Sequence, residues 1–305
     1  MAISLIDYSN SVQTPMKRAV VSKITNESVF LRTLMFIPVN GLVGYKYNRE
    51  ESLGGIAFRG INESFTPDTG VYNPQIETLA IMGGTVQTDR QIVINAGGTE
   101  VRASRILAKT RKAGLFFDKY VIDGDPAVNA KQFYGLNARL TGSQVLSAGT
   151  NGGAITLALL DQAIDTVVGT SNSQKRIACN KAVRRKLTSL VVAAAGGAAV
   201  LDVGKQLVEY NGTPIDIIDE DGDESAILGF DETQGNQSLS TSLYVYRPGS
   251  DSDGEYVQGL VGSSMVDHID YGERNGVFDD LIEANMGLAM FHPRAACRIK
   301  GINNV

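Results

Sequence analysis

The sequence predicts an α+β fold, and three observations support that prediction. The stretch from Pro38 to Pro74 contains short strand-like pieces, and its six glycines disfavour a long helix. From Thr99 to about Tyr120, apolar residues recur at helical spacing. Beyond residue 137, helical and strand-like patterns alternate along the chain. Strands on both sides of one long helix are typical of an α+β protein.

Residues 1–40 are predicted to form an N-terminal arm, of which residues 1–30 are polar and expected to be lightly anchored. Its last part, Val29 to Val39, is dense in apolar residues and is limited by Pro38. That pattern is typical of a strand. We therefore expect a light anchor that is followed by one strand.

Residues 41–73 are predicted to form an extended loop, shaped as a two-stranded arm with a polar turn from Asn48 to Ser52. One strand-like piece precedes the turn, and the other follows it, with the apolar residues Leu42, Val43, Tyr45 and Tyr47 before and Ile56, Phe58, Ile61 and Phe65 after. An isolated hairpin is marginal in water, so we expect this arm to pack on another protein surface. The predicted self-assembly interface consists of Tyr45, Tyr47, Ile56, Phe58 and Phe65.

The segment Ile76 to Val93 is strand-like, and the clearest helix of the chain follows it. Thr99 is a suitable N-cap for this helix, and Asp123-Gly124-Asp125-Pro126 ends it. One face is apolar, and a second face carries a basic stripe of Arg102, Arg105, Lys109, Lys112 and Lys119. The stripe is either the solvated side of the helix or a contact with phosphate or with a neighbour's acidic residues. We predict that Arg105→Glu together with Lys109→Glu impairs the assembly of the chain into particles or changes what those particles contain. Normal particles from that variant would refute this.

The second half of the chain starts at a domain junction that we place near residue 137. The patterns predict two helices, Ile155 to Val168 and Lys181 to Ala194, the second capped by Asn180. Asn211-Gly212 indicates a hairpin between two strands. The predicted strands are Arg176 to Cys179, Gln206 to Tyr210, Thr213 to Ile218, Leu243 to Arg247, Glu255 to Val261, Leu281 to Met290 and Cys297 to Ile302.

Composition and charge narrow the classes of function. With 28 basic and 33 acidic side chains, the net charge of −5 argues against a dedicated nucleic-acid binder but permits local basic surfaces. The two cysteines, Cys179 and Cys297, belong to no closely spaced pair, which favours a reducing compartment. The longest apolar run, Leu190 to Leu201, is shorter than a membrane span. The N-terminus also lacks the pattern of a secretory signal.

Motifs that carry catalytic chemistry are largely missing from the sequence. It contains no Gly-x-Ser-x-Gly elbow, and Gly204-Lys205 lacks the rest of a phosphate loop. We therefore predict that the chain is not an enzyme and needs no cofactor or metal. The alternative is a serine hydrolase that uses Ser264, His268 and an aspartate such as Asp267 or Asp270. Two acidic runs, Asp219 to Glu224 and the alternating Asp251, Asp253 and Glu255, are expected to be solvated loops, with divalent-ion binding as the alternative.

The order of these elements resembles the major capsid protein of tailed bacteriophages, which has the Hong Kong 97-type fold. The likeness extends over nearly the whole chain and rests on four diffuse segments, Phe133 to Asn137, Asn180 to Leu187, Tyr210 to Ile215 and Ser240 to Arg247. The resemblance implies that Leu42 to Pro67 is the extended loop, lying over an adjacent subunit in a ring of five or six. It also implies a peripheral domain of residues 74–136 and 268–305 with a spine helix, and an α/β axial domain of residues 137–267.

The resemblance further implies an icosahedral shell around double-stranded DNA, in a virion that is assembled in the host bacterial cytoplasm without a membrane. The implied partners are copies of the chain as pentamers and hexamers, a separate scaffolding protein, a portal protein and non-specific contacts with the packaged DNA. Some family members crosslink a loop lysine, but no partner can be assigned to Lys46 here. Two alternatives share the self-assembly: a bacterial nanocompartment shell around an enzyme, and a tail or head-completion protein.

Overall fold

A computed structural model describes residues 15–39, 44–52, 54–95, 99–194, 207–249, 256–262 and 266–304. The α-helices of this part of the chain are α1 Pro15–Glu27, α2 Val29–Thr33, α3 Arg90–Asn95, α4 Thr99–Asp123, α5 Leu136–Arg139, α6 Leu157–Thr166 and α7 Lys181–Ala194. The strands are β1 Phe36–Pro38, β2 Tyr45–Ser52, β3 Val71–Glu77, β4 Ala80–Asp89, β5 Val145–Ser147, β6 Arg176–Cys179, β7 Glu209–Tyr210, β8 Thr213–Ile217, β9 Glu232–Gln234, β10 Gln237–Tyr246, β11 Val257–Val261, β12 Asp267–Arg274, β13 Val277–Met290 and β14 Ala296–Asn303.

Helix α4, the spine helix, confirms the long helix that the sequence predicts. Its 25 residues extend about 37 Å at 1.5 Å per residue. The predicted stop is also correct, because the helix ends at Asp123 and the Gly124 amide donates to the Tyr120 carbonyl at 2.9 Å. The apolar face buries Ile106 and Phe117 in the largest core of the protein.

The first sheet is built around the long strand β13, in the order β1-β11-β13-β12, with β4 also paired to β13. Strand β13 pairs antiparallel with β4 along Val277–Met286 and with β12 along Val277–Glu283. Further along, Met286–Met290 pairs with β11. Strand β13 thus pairs with β4, β11 and β12, and β11 joins β1 to them. The spine helix packs on this sheet.

The N-terminal segment corrects the prediction of a lightly anchored arm over residues 15–33. Helix α1 buries Val20, Val21 and Ile24 against the core that contains the spine helix. At the crossing, a Cβ on Gly114 would lie 2.9 Å from the Ile24 carbonyl oxygen, so the close approach requires glycine. The strand predicted from Val29 begins only at Phe36, because Val29–Thr33 is helical. The rest of the predicted arm, residues 1–14 and Asn40, lies outside the described residues.

The second sheet has the order β5-β14-β10-β6-β8-β7, with β9 paired to β10. Helices α6 and α7 pack on it around a second core, as the sequence predicts. The Asn180 side chain caps α7 by accepting a hydrogen bond from the Val183 amide at 2.8 Å. The predicted hairpin is confirmed, with φ of 49° at Asn211 and 76° at Gly212 between β7 and β8.

Two strands, β14 and β11, do not pair within the domains in which the sequence analysis placed them. Strand β14 was expected in the peripheral domain with residues 268–305, yet it pairs with β10 and β5 in the second sheet. Strand β11 was expected in the axial domain, residues 137–267, yet it pairs with β13 and β1 in the first sheet. The reason for β14 is its apolar side, which buries Cys297, Ile299 and Ile302 in the second core.

The arm is two-stranded, but its register differs from the predicted one. Strand β2 pairs antiparallel with β3, from Tyr45 opposite Glu77 to Ser52 opposite Val71. The predicted turn at Asn48–Ser52 is therefore wrong, because these residues continue the first strand. The predicted second strand, from Ile56 to Phe65, belongs instead to the tip of the arm, residues 54–70, which connects the two strands. Leu42 and Val43 lie outside the described residues.

No helix in the described part of the chain combines the length and the apolar character that crossing a membrane requires.

Candidate assembly surfaces

The root of the arm is fixed to the body of the same chain by aromatic packing. The Tyr47 ring lies 4.5 Å from the Phe291 ring and the Tyr45 ring lies 5.9 Å from it, measured between centroids. The Tyr47 hydroxyl is 3.0 Å from the Met290 carbonyl oxygen and 3.1 Å from Glu77 Oε1. Burial, followed by the charge of Glu77, raises the pKa of Tyr47. The hydroxyl therefore stays protonated and keeps its hydrogen bond.

A buried ion pair supports this root, and no pattern in the sequence indicates it. Glu77 is buried at the end of β3, and Arg139 at the end of α5 binds both of its carboxylate oxygens, at 2.5 and 2.7 Å. The two residues are 62 positions apart, so only the folded chain brings them together. The result is an arm whose base is held rigidly.

The tip of the arm exposes its large apolar side chains. Ile56 and Phe58 are fully exposed, and Ile61 and Phe65 are largely so. The backbone of the tip is ordered by its own acidic side chains, since Glu63 accepts from the Gly60 amide and Asp68 from the Gly55 amide, both at 2.7 Å. An exposed apolar cluster on an ordered segment indicates a contact surface.

The five predicted interface residues thus fall into two places. Tyr45 and Tyr47 lie at the root, against Phe291 of their own chain, whereas Ile56, Phe58 and Phe65 lie at the tip. The structure brings neither tip nor root residues to a second copy, so their role in assembly stays a prediction.

The members of the basic stripe on the spine helix also have different surroundings. The first member, Arg102, binds acidic side chains of its own chain. Arg102 binds both carboxylate oxygens of Asp280, at 2.7 and 2.9 Å, and its guanidinium lies 2.5 Å from Asp270. The Asp280 side chain is fully buried. The hydrogen bond to Asp280 is the main cause that raises the pKa of Arg102. Arg102 therefore compensates the buried negative charge of Asp280 within its own chain.

Two further basic residues of the stripe meet the acidic run of the same chain, residues 219–224, which we call the acidic loop. Lys119 binds Asp221 at 2.8 Å, and Lys112 pairs with Asp223. Arg111, beside the stripe, lies 3.9 Å from Glu220. The hydrogen bond from Lys119 lowers the pKa of Asp221. The acidic loop is thus a partner of the spine helix through Asp221 and Asp223, and the expected solvated loop is correct only in part, because Asp219, Asp223 and Glu224 are exposed but Asp221 is buried.

Arg105 and Lys109 are the members of the stripe that remain exposed. Arg105 donates to the Gln87 carbonyl at 3.3 Å, and Lys109 lies beside Gly84 of β4. Contact of these two with phosphate or a neighbour stays a prediction, as does the effect of reversing both charges.

Where the structure describes them, the residues of the alternative hydrolase bind other side chains of the same chain. His268 Nε2 lies 2.8 Å from Asp280, which also binds Arg102. Asp267 pairs with Lys17 at 3.3 Å, and Asp270 pairs with Arg102. Ser264 lies outside the described residues, as do Ser263 and the acidic run of Asp251, Asp253 and Glu255. Over the described part of the chain, a search for clusters of His, Cys, Asp and Glu able to hold a metal ion finds none.

No family model matches the chain, and no curated protein matches it. Solved structures do resemble it. The holo-SrpI encapsulin complex from Synechococcus elongatus aligns with a TM-score of 0.64 at 15% identity, covering 96% of this chain and 89% of that one. The capsid of a native GTA particle gives 0.62 at 9% identity, covering 90% of each chain. The capsid of cyanophage A-1(L) gives 0.58 at 12% identity, covering 90% and 92%.

At these identities the alignments bear on the fold, and they cover nearly the whole chain in each comparison. The α+β fold of this chain is the Hong Kong 97-type fold, which capsid proteins of phages share with encapsulins, and the resemblance that the sequence suggested is confirmed at the level of the fold.

Proposed function

We propose that the chain is a capsid protein that assembles with copies of itself into a closed shell. The observation that carries this proposal is the exposed apolar tip on an arm whose base is fixed by Tyr47, Glu77 and Arg139. A rigid arm with an apolar end, on a capsid fold, has the form of a part made to contact a neighbouring subunit. The likeness to solved capsids supports the same conclusion.

In the proposed shell, pentamers and hexamers close into an icosahedron. The first sheet and the spine helix form the peripheral domain, and the second sheet with α6 and α7 forms the axial domain at the ring centre. Each single contact can be weak, because many repeated contacts stabilise a closed shell together. Symmetry restricts how those contacts close. The role of the chain is then mechanical rather than catalytic.

The proposed content of the shell is double-stranded phage DNA, and the proposed setting is a virion assembled in the cytoplasm of a bacterial host. Phage capsids are the more numerous among the similar structures, which supports this choice. The net charge of −5 limits tight binding of DNA to the inner wall, because phosphate binding needs clustered cations. A scaffolding protein and a portal protein are the further partners that we propose.

A second candidate is a nanocompartment shell around a protein cargo. It is favoured by the likeness to the SrpI encapsulin, which covers 96% of this chain at a TM-score of 0.64. The two candidates share the fold and differ in what the shell contains.

Electron microscopy of the expressed chain, alone and with the products of its neighbouring genes, tests the proposal. We expect closed particles, and nuclease-protected DNA inside them would support the phage capsid. Particles with a protein cargo and no nucleic acid would support the nanocompartment. Rings or tubes without closed shells would indicate a tail or head-completion protein, and a chain that stays monomeric at high concentration would contradict self-assembly.

A further inference from the structure

A groove lies between β4, the spine helix and the segment of residues 129–133, and it has a volume of about 370 Å³. Two of its lining residues, Phe133 and Ile282, are buried. Two others, Phe116 and Tyr120, form an aromatic pair whose ring centroids lie 4.5 Å apart. The volume falls within the range of about 300–1,000 Å³ that is usual for cavities that hold small molecules. We call this cavity the spine groove.

The charged side chains that line the spine groove all carry the same sign. They are Lys109, Lys112 and Lys131, and the described residues of the lining include no carboxylate. Lys112 pairs with Asp223 from outside the lining, whereas Lys109 and Lys131 have no acidic partner in the described part of the chain. This local excess of positive charge contrasts with the net charge of −5 of the whole chain. Because charges attract more strongly beside an apolar surface than in bulk water, the groove favours an anion.

A glycine allows Lys109 to lie at the edge of this apolar lining. Gly84 of β4 also lines the groove, and a Cβ on it would lie 2.6 Å from Lys109 Cε and 3.0 Å from Lys109 Nζ. A side chain at this position would therefore displace the lysine. The close approach brings the ammonium group over the backbone of β4. One positive charge is thus placed beside the apolar surface without an ion-pair partner from the described residues.

We propose that the spine groove binds a small organic anion with an aromatic body. The aromatic body packs on Phe116 and Tyr120, and the acidic group pairs with Lys109 and Lys131. This inference goes beyond the proposed function, since it concerns a small-molecule ligand and not a contact between copies of the chain. The combination of an apolar lining with a few charged groups is typical of cavities that select one class of ligand.

The lining also predicts which molecules bind weakly. Aromatic rings pack on each other with centroids about 4.5–7 Å apart, and the Phe116 side chain, 40% exposed, leaves part of its ring open to such a contact. A cation in the groove would be repelled by the lysines, and a neutral molecule would form no ion pair with them. We therefore expect an aromatic anion to bind more tightly than a neutral molecule with the same aromatic body.

A fluorescence titration of the full, unassembled chain tests the site. The probe is anilinonaphthalene sulfonate, which has an aromatic body and one negative charge. The matched control ligand is N-phenylnaphthylamine, which has the same aromatic body without the sulfonate. The test variant carries Lys109→Met and Lys131→Met, which keep most of each side chain and remove its charge. The control variant carries Lys46→Met and Arg185→Met, because these two basic side chains are exposed and do not line the groove.

We expect the test variant to bind the sulfonate about tenfold more weakly than the control variant, because it lacks two partly exposed ion pairs with the ligand. Both variants should bind the neutral ligand as the unaltered chain does, since that binding depends on apolar contact and shows that the groove is intact. Equal binding of the sulfonate by the two variants would overturn the inference. Loss of the neutral ligand from the test variant, or no binding by the unaltered chain, would also overturn it.

The exposed tip of the arm is a second surface that could attract an apolar dye. The chain with Ile56→Ser and Phe58→Ser is therefore titrated in parallel. Unchanged binding by this tip variant would support the groove as the site, and loss of binding would overturn the inference. Each of these outcomes leaves the proposed function intact, because none of them measures the formation of particles.

Discussion

Asp280 is fully buried near the start of β13, where its carboxylate binds the Arg102 guanidinium and His268 Nε2. Replacing Arg102 by methionine would keep most of the volume but remove the guanidinium that binds both carboxylate oxygens, and His268 would remain as the side-chain partner. Loss of one partner of a buried ion pair costs about 3–5 kcal/mol, so we expect the free energy of unfolding of the unassembled chain to fall by that amount. Urea unfolding followed by circular dichroism measures it.

The matched control for Arg102→Met is Arg105→Met, one turn away on the same helix and exposed. We expect that substitution to change the free energy of unfolding by less than about 0.5 kcal/mol. Equal losses for the two variants would show that Arg102 does not act through Asp280.

Asp118 is a second residue of the spine helix whose role is structural. Its carboxylate accepts hydrogen bonds from the amides of Val29 and Phe30 and from the Ser28 hydroxyl, at 2.8, 3.1 and 2.5 Å. It therefore caps the start of α2 from another helix. Burial raises the pKa of Asp118 to about 6 from its ordinary value of 3.8. The folded chain then retains a proton that the unfolded chain has lost between about pH 4 and pH 6.

The stability that protonated Asp118 provides is lost as pH rises through that window. Comparison with Asp118→Asn, which cannot ionise, isolates this effect. Between pH 4 and pH 7 we expect wild type to lose about 3 kcal/mol relative to the variant, from a shift of about two pKa units. Urea unfolding at several pH values measures the difference, with the exposed Glu100→Gln as the control on the same helix. Parallel curves for wild type and Asp118→Asn would contradict the raised pKa.

At the scale of elements, the helices and hairpins that are stabilised by residues close in the sequence were predicted best. Helix α7 has its own cap in Asn180, and the hairpin at Asn211-Gly212 has the residues that its turn demands. Helix α1 was missed because its buried face has few residues and is stabilised by packing on the spine helix. Pro15 at its first position and the spacing of Val20, Val21 and Ile24 are the signals that could have found it.

Pairings between distant elements explain the other errors. The register of the arm depends on which strand meets β2, and the partner β3 lies beyond a tip that itself looks strand-like. The assignment of β14 to a sheet depends on β10, more than 50 residues earlier. The acidic loop and the basic stripe were both visible in the sequence, but their mutual contact was not, because charge patterns alone do not show which surfaces face each other.

The ion pairs between the acidic loop and the spine helix differ in burial, which allows a matched test. Asp221 is nearly buried and receives a hydrogen bond from Lys119, whereas Asp219 and its partner Lys181 are exposed. We expect Asp221→Asn to lower the free energy of unfolding by about 1–2 kcal/mol and Asp219→Asn by less than about 1 kcal/mol. Thermal unfolding at low and high salt measures both. A larger loss for Asp219→Asn would show that the loop is not fixed through Asp221.

At the scale of the whole molecule, the charged groups and the apolar groups have separate roles. Lys112 and Lys119 of the basic stripe bind the acidic loop and Arg102 binds Asp280, so these three residues stabilise the single chain. Ile56 and Phe58 of the tip, by contrast, are fully exposed and contribute no buried surface to the single chain. We therefore predict that folding and assembly use different residues, so that the two properties can be changed independently by substitution.

The double substitution Ile56→Ser and Phe58→Ser changes assembly alone if this separation holds. Both side chains are fully exposed in the single chain, so we expect its free energy of unfolding to change by less than about 0.5 kcal/mol. Particles should disappear, because the tip loses the apolar surface that a neighbour would bury. Electron microscopy and urea unfolding measure the two effects on one preparation. The control Tyr47→Ala at the root should instead lower the free energy of unfolding by about 2 kcal/mol, since it removes the packing on Phe291. Normal particles from the tip variant would show that the arm does not join the subunits.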